Sequence, residues 1–71
     1  MKFRVSNFTR TQLREIMVEA NLTTLQSKIV LGLNAEELND VGIMQKLHVS
    51  HSKYYAEKRI AINKIKKVLG E

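Results

Sequence analysis

The side chains of this sequence whose types and spacing invite catalysis fall into two groups. Glu36, Glu37 and Asp40 lie close together, and paired carboxylates are the usual apparatus of general acid–base chemistry. His48 and His51 stand three residues apart, a spacing that can present two imidazoles to one metal ion. Nothing in the chain completes either group. There is no cysteine, so a disulfide and a thiolate metal site are both excluded. No nearby carboxylate finishes a tetrahedral set around the histidines. The acids adjoin a turn and a helix start, where carboxylates favour the positive end of the helix dipole. No nucleophile–base–orienter set and no phosphate-cradling glycine loop is present. A chain of 71 residues leaves little room for a substrate pocket. The expectation is a protein that is not an enzyme and that uses no metal and no cofactor.

What remains is charge, and it is unevenly spread. Residues 1–45 balance five basic side chains (Lys2, Arg4, Arg10, Arg14, Lys28) against five acidic ones (Glu15, Glu19, Glu36, Glu37, Asp40). Residues 46–71 carry Lys46, Lys53, Lys58, Arg59, Lys64, Lys66 and Lys67 against Glu57 and Glu71. The whole net charge of +5 therefore belongs to the last 26 residues. A basic segment on a neutral body is the electrostatic footprint of a polyanion partner. A solvated, lysine-rich helix is the competing explanation.

The elements that would position these charges are helical. The chain has no proline and three glycines, Gly32, Gly42 and Gly70, and its apolar fraction of 44% against 27% charged is that of a folded domain. Thr9-x-x-Gln12 and Thr23-x-x-Gln26 have capping-box spacing. Phe8 and Leu13 flank the first cap as a hydrophobic staple. Leu13, Ile16, Met17 and Ala20 make a helical stripe, and Leu25, Ile29 and Leu33 make a second. These predict helices over 9–20 and 23–33, the latter weakened at its end by Gly32 and Asn34. A turn over 34–39, then a helix over 40–47 with Val41, Met44 and Leu47 on one face and Ile43 beside them, comes next. Ser50 caps a last helix over 51–69, with Gly70 beyond it. Residues 1–8 read as an arm.

The expected fold class is thus all-α, a small bundle of about four helices in one domain, 1–71. No internal repeat or linker interrupts it. No apolar run approaches the ~18 residues of a membrane span, and the N-terminal residues lack a signal-peptide core. A cytoplasmic protein with no membrane partner is expected.

Residues 43–54 concentrate the functional signal. A short helix ends in Leu47, a tight turn carries Val49, and Ser50 starts a helix whose fourth residue is Tyr54. This is a helix-turn-helix pattern. Ile43, Leu47, Val49 and Tyr54 must meet in one small core for the second helix to stand clear of the body and enter a major groove. On the wheel of that helix, Tyr54, Lys58, Ala61, Ile62, Ile65, Val68 and Leu69 share the inner arc. Ser52, Lys53, Ala56, Arg59, Ile60, Asn63 and Lys67 lie opposite, with Tyr55 and Lys66 on the shoulder.

Residues 22–69, about two-thirds of the chain, resemble region four of bacterial sigma factors. There a helix opening in Leu-Thr-x-x-Gln, here Leu22-Thr23-Thr24-Leu25-Gln26, precedes a helix-turn-helix ending in a long basic helix. The segment Leu47-His48-Val49-Ser50-His51-Ser52-Lys53-Tyr54-Tyr55, with Lys58, Ala61 and Ile65 after it, is similar to the C-terminal part of ArpU/RinA-type phage transcriptional regulators. Two departures stand out. His48 occupies a turn position where glycine is frequent, and the connection through 33–42 is longer than in the shortest sigma-type domains. The first 21 residues lie outside the resemblance.

The resemblance implies a phage or prophage DNA-binding regulator of transcription. Its candidate DNA-binding residues are Ser50, His51, Ser52, Lys53, Tyr55, Ala56 and Arg59. Ser50 presents the helix N-terminus to a phosphate. His51 and Ser52 reach base edges or phosphates, and Lys53 and Arg59 neutralise phosphates. Tyr55 either stacks on sugar, touches a thymine methyl, or covers the core edge. The expected partner is double-stranded DNA. One short recognition helix reads few base pairs, which favours a homodimer or cooperation with RNA polymerase. The reading from a different class is a protein-interaction module acting on RNA polymerase or another regulator, antirepressor-like, for which Ile60 and the N-terminal arm are the motive.

Overall fold

The computed structural model describes residues 8–35 and 39–70. Among these, the chain is all-helical: α1 (Arg10–Glu19), α2 (Thr24–Ala35), α3 (Asp40–Leu47) and α4 (His51–Val68), packed as a small bundle with a radius of gyration of 11.4 Å. No helix of the described residues is long and apolar enough to cross a membrane.

Each helix starts where a polar side chain satisfies its otherwise orphaned N–H groups. The Thr9 hydroxyl accepts from Gln12 N at 3.1 Å while Thr9 N donates to the Gln12 side chain at 3.0 Å. Thr23 and Gln26 repeat the arrangement at the start of α2. Asn39 caps α3 by accepting from Gly42 N at 2.8 Å. Ser50 caps α4 by accepting from Lys53 N at 3.2 Å. The arm expected over residues 1–8 lies outside the described residues except for Phe8. Its ring packs against the core, and its carbonyl accepts from the Asn34 side chain at 2.9 Å.

The helices α2 and α4 form the central pair and make the most extensive contact in the bundle. At one end α1 closes a core of Leu13, Met17, Ala20, Val30, Ala61 and Ile65. At the other end α3 closes a second core of Ile29, Ile43 and Tyr54, rimmed by Leu25, Leu33, Met44, Leu47 and Val49. Leu13, Ile29, Val30, Tyr54 and Ile65 are fully buried, each worth about 1.5–3 kcal/mol of transfer free energy. The expected meeting of Ile43, Leu47, Val49 and Tyr54 is present, with Ile29 of α2 as the floor beneath it.

Three expectations about helix faces and ends need correction. In α3 it is Ile43 that is buried, while Val41 is 55% exposed. The helix turns Asp40, Ile43, Met44 and Leu47 inward because Asp40 has a partner in α4. Second, α2 runs on through Asn34 to Ala35. Gly32 does not end it but admits α3, since a Cβ there would stand 3.1 Å from the Ile43 side chain. Residues 36–38 of the expected turn lie outside the described residues. Third, α4 closes at Val68 with Leu69 as its cap. Leu69 is 39% exposed, and Ile62 lies on the outward side. Of α4, the core that α1 closes takes up Ala61, Ile65 and Val68.

Candidate nucleic-acid interface

The site is built on the corner between α3 and α4. His48 closes α3 in the left-handed region, at φ 55° and ψ 43°. Its N–H donates to the Gln45 carbonyl at 3.3 Å, and Val49 N donates to the Met44 carbonyl at 3.2 Å. This is the Schellman closure of a helix, with the expected apolar contact between the residue beyond the corner and the last turn: Met44 and Val49 pack on the same core. The corner is therefore held by backbone bonds and buried carbon, even though a histidine stands where glycine is the usual occupant.

From this corner α4 emerges with its first turn in solvent. Ser50, His51, Ser52 and Lys53 are all exposed. Ser50 satisfies only Lys53 N, and in any helix start the N–H groups of the first two residues, here His51 and Ser52, have no intrahelical acceptor. That end carries the positive half of the helix dipole. No acidic residue occupies the first turn of α4, and Lys66 and Lys67 occupy its last.

The outward side of α4 is a continuous shallow stripe. Ser52, Tyr55, Ala56, Arg59, Ile62, Asn63 and Lys66 line it, with Lys58 at its margin. Of the seven residues expected to contact DNA, Ser52, Tyr55, Ala56 and Arg59 fall on this stripe. Ser50 and His51 stand at its N-terminal end, where the His51 ring lies 4.6 Å from that of Tyr55. Lys53 sits on the far shoulder, and its ammonium lies 3.9 Å from Glu57. Arg59 is exposed and has no ion-pair partner among the described residues. Ile62, Asn63 and Lys66 were not among the expected contacts. Their spacing of three, four and seven residues from Arg59 was the signal that could have found them.

A polar brace fixes the orientation of α4 against α3. Asp40 Oδ1 accepts from the Tyr54 hydroxyl at 2.6 Å and from Lys58 Nζ at 3.0 Å, and Oδ2 lies 3.5 Å from the Tyr55 hydroxyl. The Tyr54 hydrogen bond is the largest influence on Asp40. With help from Lys58 and against partial burial, it holds the carboxyl below its ordinary 3.8. Burial first, then Asp40, pushes the Tyr54 phenol well above its ordinary value. Lys58 is thereby committed to Asp40. Its charge turns back to α3 instead of out to solvent, where a lysine on the inner arc would be expected to send it.

A second polar link joins α4 to α2. Gln26 is 3% exposed, and every polar atom of its side chain is used. Its amide oxygen accepts from Thr23 N at 3.1 Å and from Lys64 Nζ at 3.1 Å. Its amide nitrogen donates to Glu57 at 2.9 Å. The capping role of Gln26 was expected from its spacing; its burial and its reach to α4 were not.

Comparison of the chain with family models, with curated proteins and with solved structures finds no match.

Proposed function

We propose that this protein is a DNA-binding transcriptional regulator of the sigma-region-four-like type, in which α4 enters the major groove and α3 braces it against the backbone. The observation that carries the reading is the outward stripe of α4. It begins at an exposed, capped helix N-terminus and continues through Ser52, Tyr55, Ala56 and Arg59 to Lys66. Free N–H groups and the helix dipole suit a phosphate, exposed cations add salt-dependent affinity, and short polar and aromatic side chains suit base edges. The phage or prophage assignment rests on the likeness of residues 47–55 to ArpU/RinA-type regulators. Binding is stoichiometric and non-catalytic in this reading.

The test is selection of bound duplexes from a random pool at two salt concentrations. An enriched motif that survives the higher salt is the expected result, and a palindrome adds a homodimer. Replacing Arg59 or Lys53 by alanine should weaken binding on every sequence and lower the salt slope by about one per lost phosphate contact. Unchanged affinity and slope in both variants would remove α4 from the interface.

One observation favours a protein partner in addition. Val18 is 80% exposed and, with Met17 and Leu22, lines a shallow apolar depression at the corner between α1 and α2. RNA polymerase or another regulator docking there would leave α4 open to DNA. Recovery of no stoichiometric partner from host extract would count against it.

A further inference from the structure

We infer that Tyr55 is a specificity-determining residue of the α4 stripe, and that the group it recognises is the 5-methyl of a thymine in the major groove. The inference rests on the DNA-binding reading above and specifies what one residue of that surface reads.

The ring of Tyr55 is held from several directions before any ligand arrives. Tyr54 meets it edge-on, with centroids 5.1 Å apart and planes at 89°. The His51 ring lies against it at 4.6 Å with a 50° tilt. The Lys58 ammonium stands 5.6 Å from its centroid, within cation–π range, and is itself anchored on Asp40. The Tyr55 hydroxyl, the one polar atom of the side chain, faces Asp40 of α3 at 3.5 Å. Tyr55 nonetheless remains 38% exposed. Tyr55 therefore contributes carbon, in a fixed position, to a stripe whose other members near the helix start, Ala56 apart, are polar or charged.

The neighbours define what that carbon can meet. Ala56 adjoins it on the stripe and adds a methyl, and Ser52 and Arg59 stand one turn before and after. In the major groove each base edge presents donors, acceptors or both, and thymine also presents a methyl group. An apolar spot between a hydroxyl and a guanidinium matches that one apolar feature. A base edge offering only polar groups would lose hydrogen bonds to water there without replacing them. The basic surroundings draw the duplex in, and the Tyr55–Ala56 pair discriminates. Orienting the ring through Asp40, Tyr54, His51 and Lys58 reduces the side-chain freedom left to lose at the moment of contact.

The test uses the full chain and its own selected duplex. Each thymine is replaced in turn by deoxyuridine, which removes the methyl and leaves every hydrogen-bonding group in place. At one thymine or more, loss of the methyl should weaken wild-type binding about fourfold, the worth of one buried methyl-sized group. Tyr55→Phe should keep that ratio, because the hydroxyl is turned to Asp40. Tyr55→Ala should bring it to one. Equal binding of every uracil duplex, a selected site without thymine, or a Tyr55→Ala protein that keeps the ratio would each overturn the inference while leaving the DNA-binding reading intact. A pool that yields no bound duplex, or no enriched motif, would overturn sequence reading by α4 and this inference with it.

Discussion

The corner joining α1 to α2 and the corner joining α3 to α4 are built to the same local plan. In each, a methionine carbonyl, Met17 or Met44, accepts from the N–H five residues on, Leu22 or Val49. In each, a non-glycine residue takes the left-handed conformation, Asn21 and His48, both at φ 55°. An apolar residue and then a hydroxyl cap follow, and the third residue of the next helix donates its N–H to that cap at 3.2 Å. The third residue is where they part. In the first corner it is Gln26, which is buried, completes a capping box and bonds to α4. In the second it is Lys53, which is exposed and reaches nothing at the helix start. One corner turns its helix N-terminus into a joint. The other leaves it open to solvent with a cation beside it, and so is the end available to an anion.

The most damaging way to break this difference is to remove what holds the second corner in shape. Tyr54 is fully buried, fills the core beneath the corner and donates to Asp40 across it. Tyr54→Ala should cost about 3–5 kcal/mol, read from urea unfolding. For a chain of this length that is enough to unfold much of the population. A loss under ~1 kcal/mol would mean that the second core is not a cooperative part of the bundle.

Next in size is the exchange of the two third residues for alanine. Gln26→Ala strips the partners of Thr23 N, Glu57 and Lys64 at once, in a buried setting. It should cost about 1–3 kcal/mol. Lys53→Ala, at the equivalent position, should move stability by no more than ~0.5 kcal/mol, since its ion pair with Glu57 is long and its lysine end is exposed. The two variants should thus separate cleanly, stability changing in one and, under the proposed DNA-binding function, salt-dependent affinity in the other. Equal losses of stability would erase the distinction between joint and open end.

What was legible in the sequence was mainly local. Caps and staples depend on residues three to five apart, so Thr9, Thr23 and Ser50 were readable as helix starts, and the stripes of α1 and α2 as core. The pairing of Ile43, Leu47, Val49 and Tyr54 was legible for the same reason. The facing of α3 was not. In an eight-residue helix with apolar residues at 41, 43, 44 and 47, more than one face is apolar, and the choice is made by Asp40 bonding to Tyr54 and Lys58 in another helix. Gln26 was readable as a cap, but its burial depends on Glu57 and Lys64, 31 and 38 residues away. Gly32 read as a stop because its second role, admitting Ile43, needs the position of α3. For the candidate site, the first turn of α4 and Arg59 were legible from the motif. The wheel puts Ile62 on the inner arc beside Ala61 and Ile65, yet the core that α1 closes takes up those two and Val68 and not Ile62.

The left-handed residues offer a smaller and sharper comparison. A side chain with a Cβ pays roughly 1–2 kcal/mol in this conformation, and asparagine tolerates it better than histidine. Part of any gain from glycine is offset by the greater freedom of the unfolded chain. His48→Gly should therefore stabilise the protein by about 0.5–1 kcal/mol, and Asn21→Gly by less, as measured by the denaturant midpoint. The reverse order would mean that the His48 side chain makes a stabilising contact that outweighs its backbone.

The smallest expected effect separates the two links by acid. The first corner is tied to α4 by the neutral amide of Gln26, while the second is tied by the Asp40 carboxylate. Asp40 is held below its ordinary 3.8, first by the Tyr54 hydrogen bond and then by Lys58. As pH falls, the unfolded chain takes up a proton on this carboxyl before the folded one does. The stability it provides is complete above about pH 4 and is lost as pH falls below 3.8 towards the folded value. Asp40→Asn removes that titration but leaves every glutamate in place. The thermal midpoint should consequently drop less between pH 5 and pH 3, taken at about those values, in Asp40→Asn than in wild type. Parallel curves would show that the brace across the second corner owes nothing to the charge of Asp40, and that the Tyr54 hydroxyl is held there as a neutral hydrogen-bond partner alone.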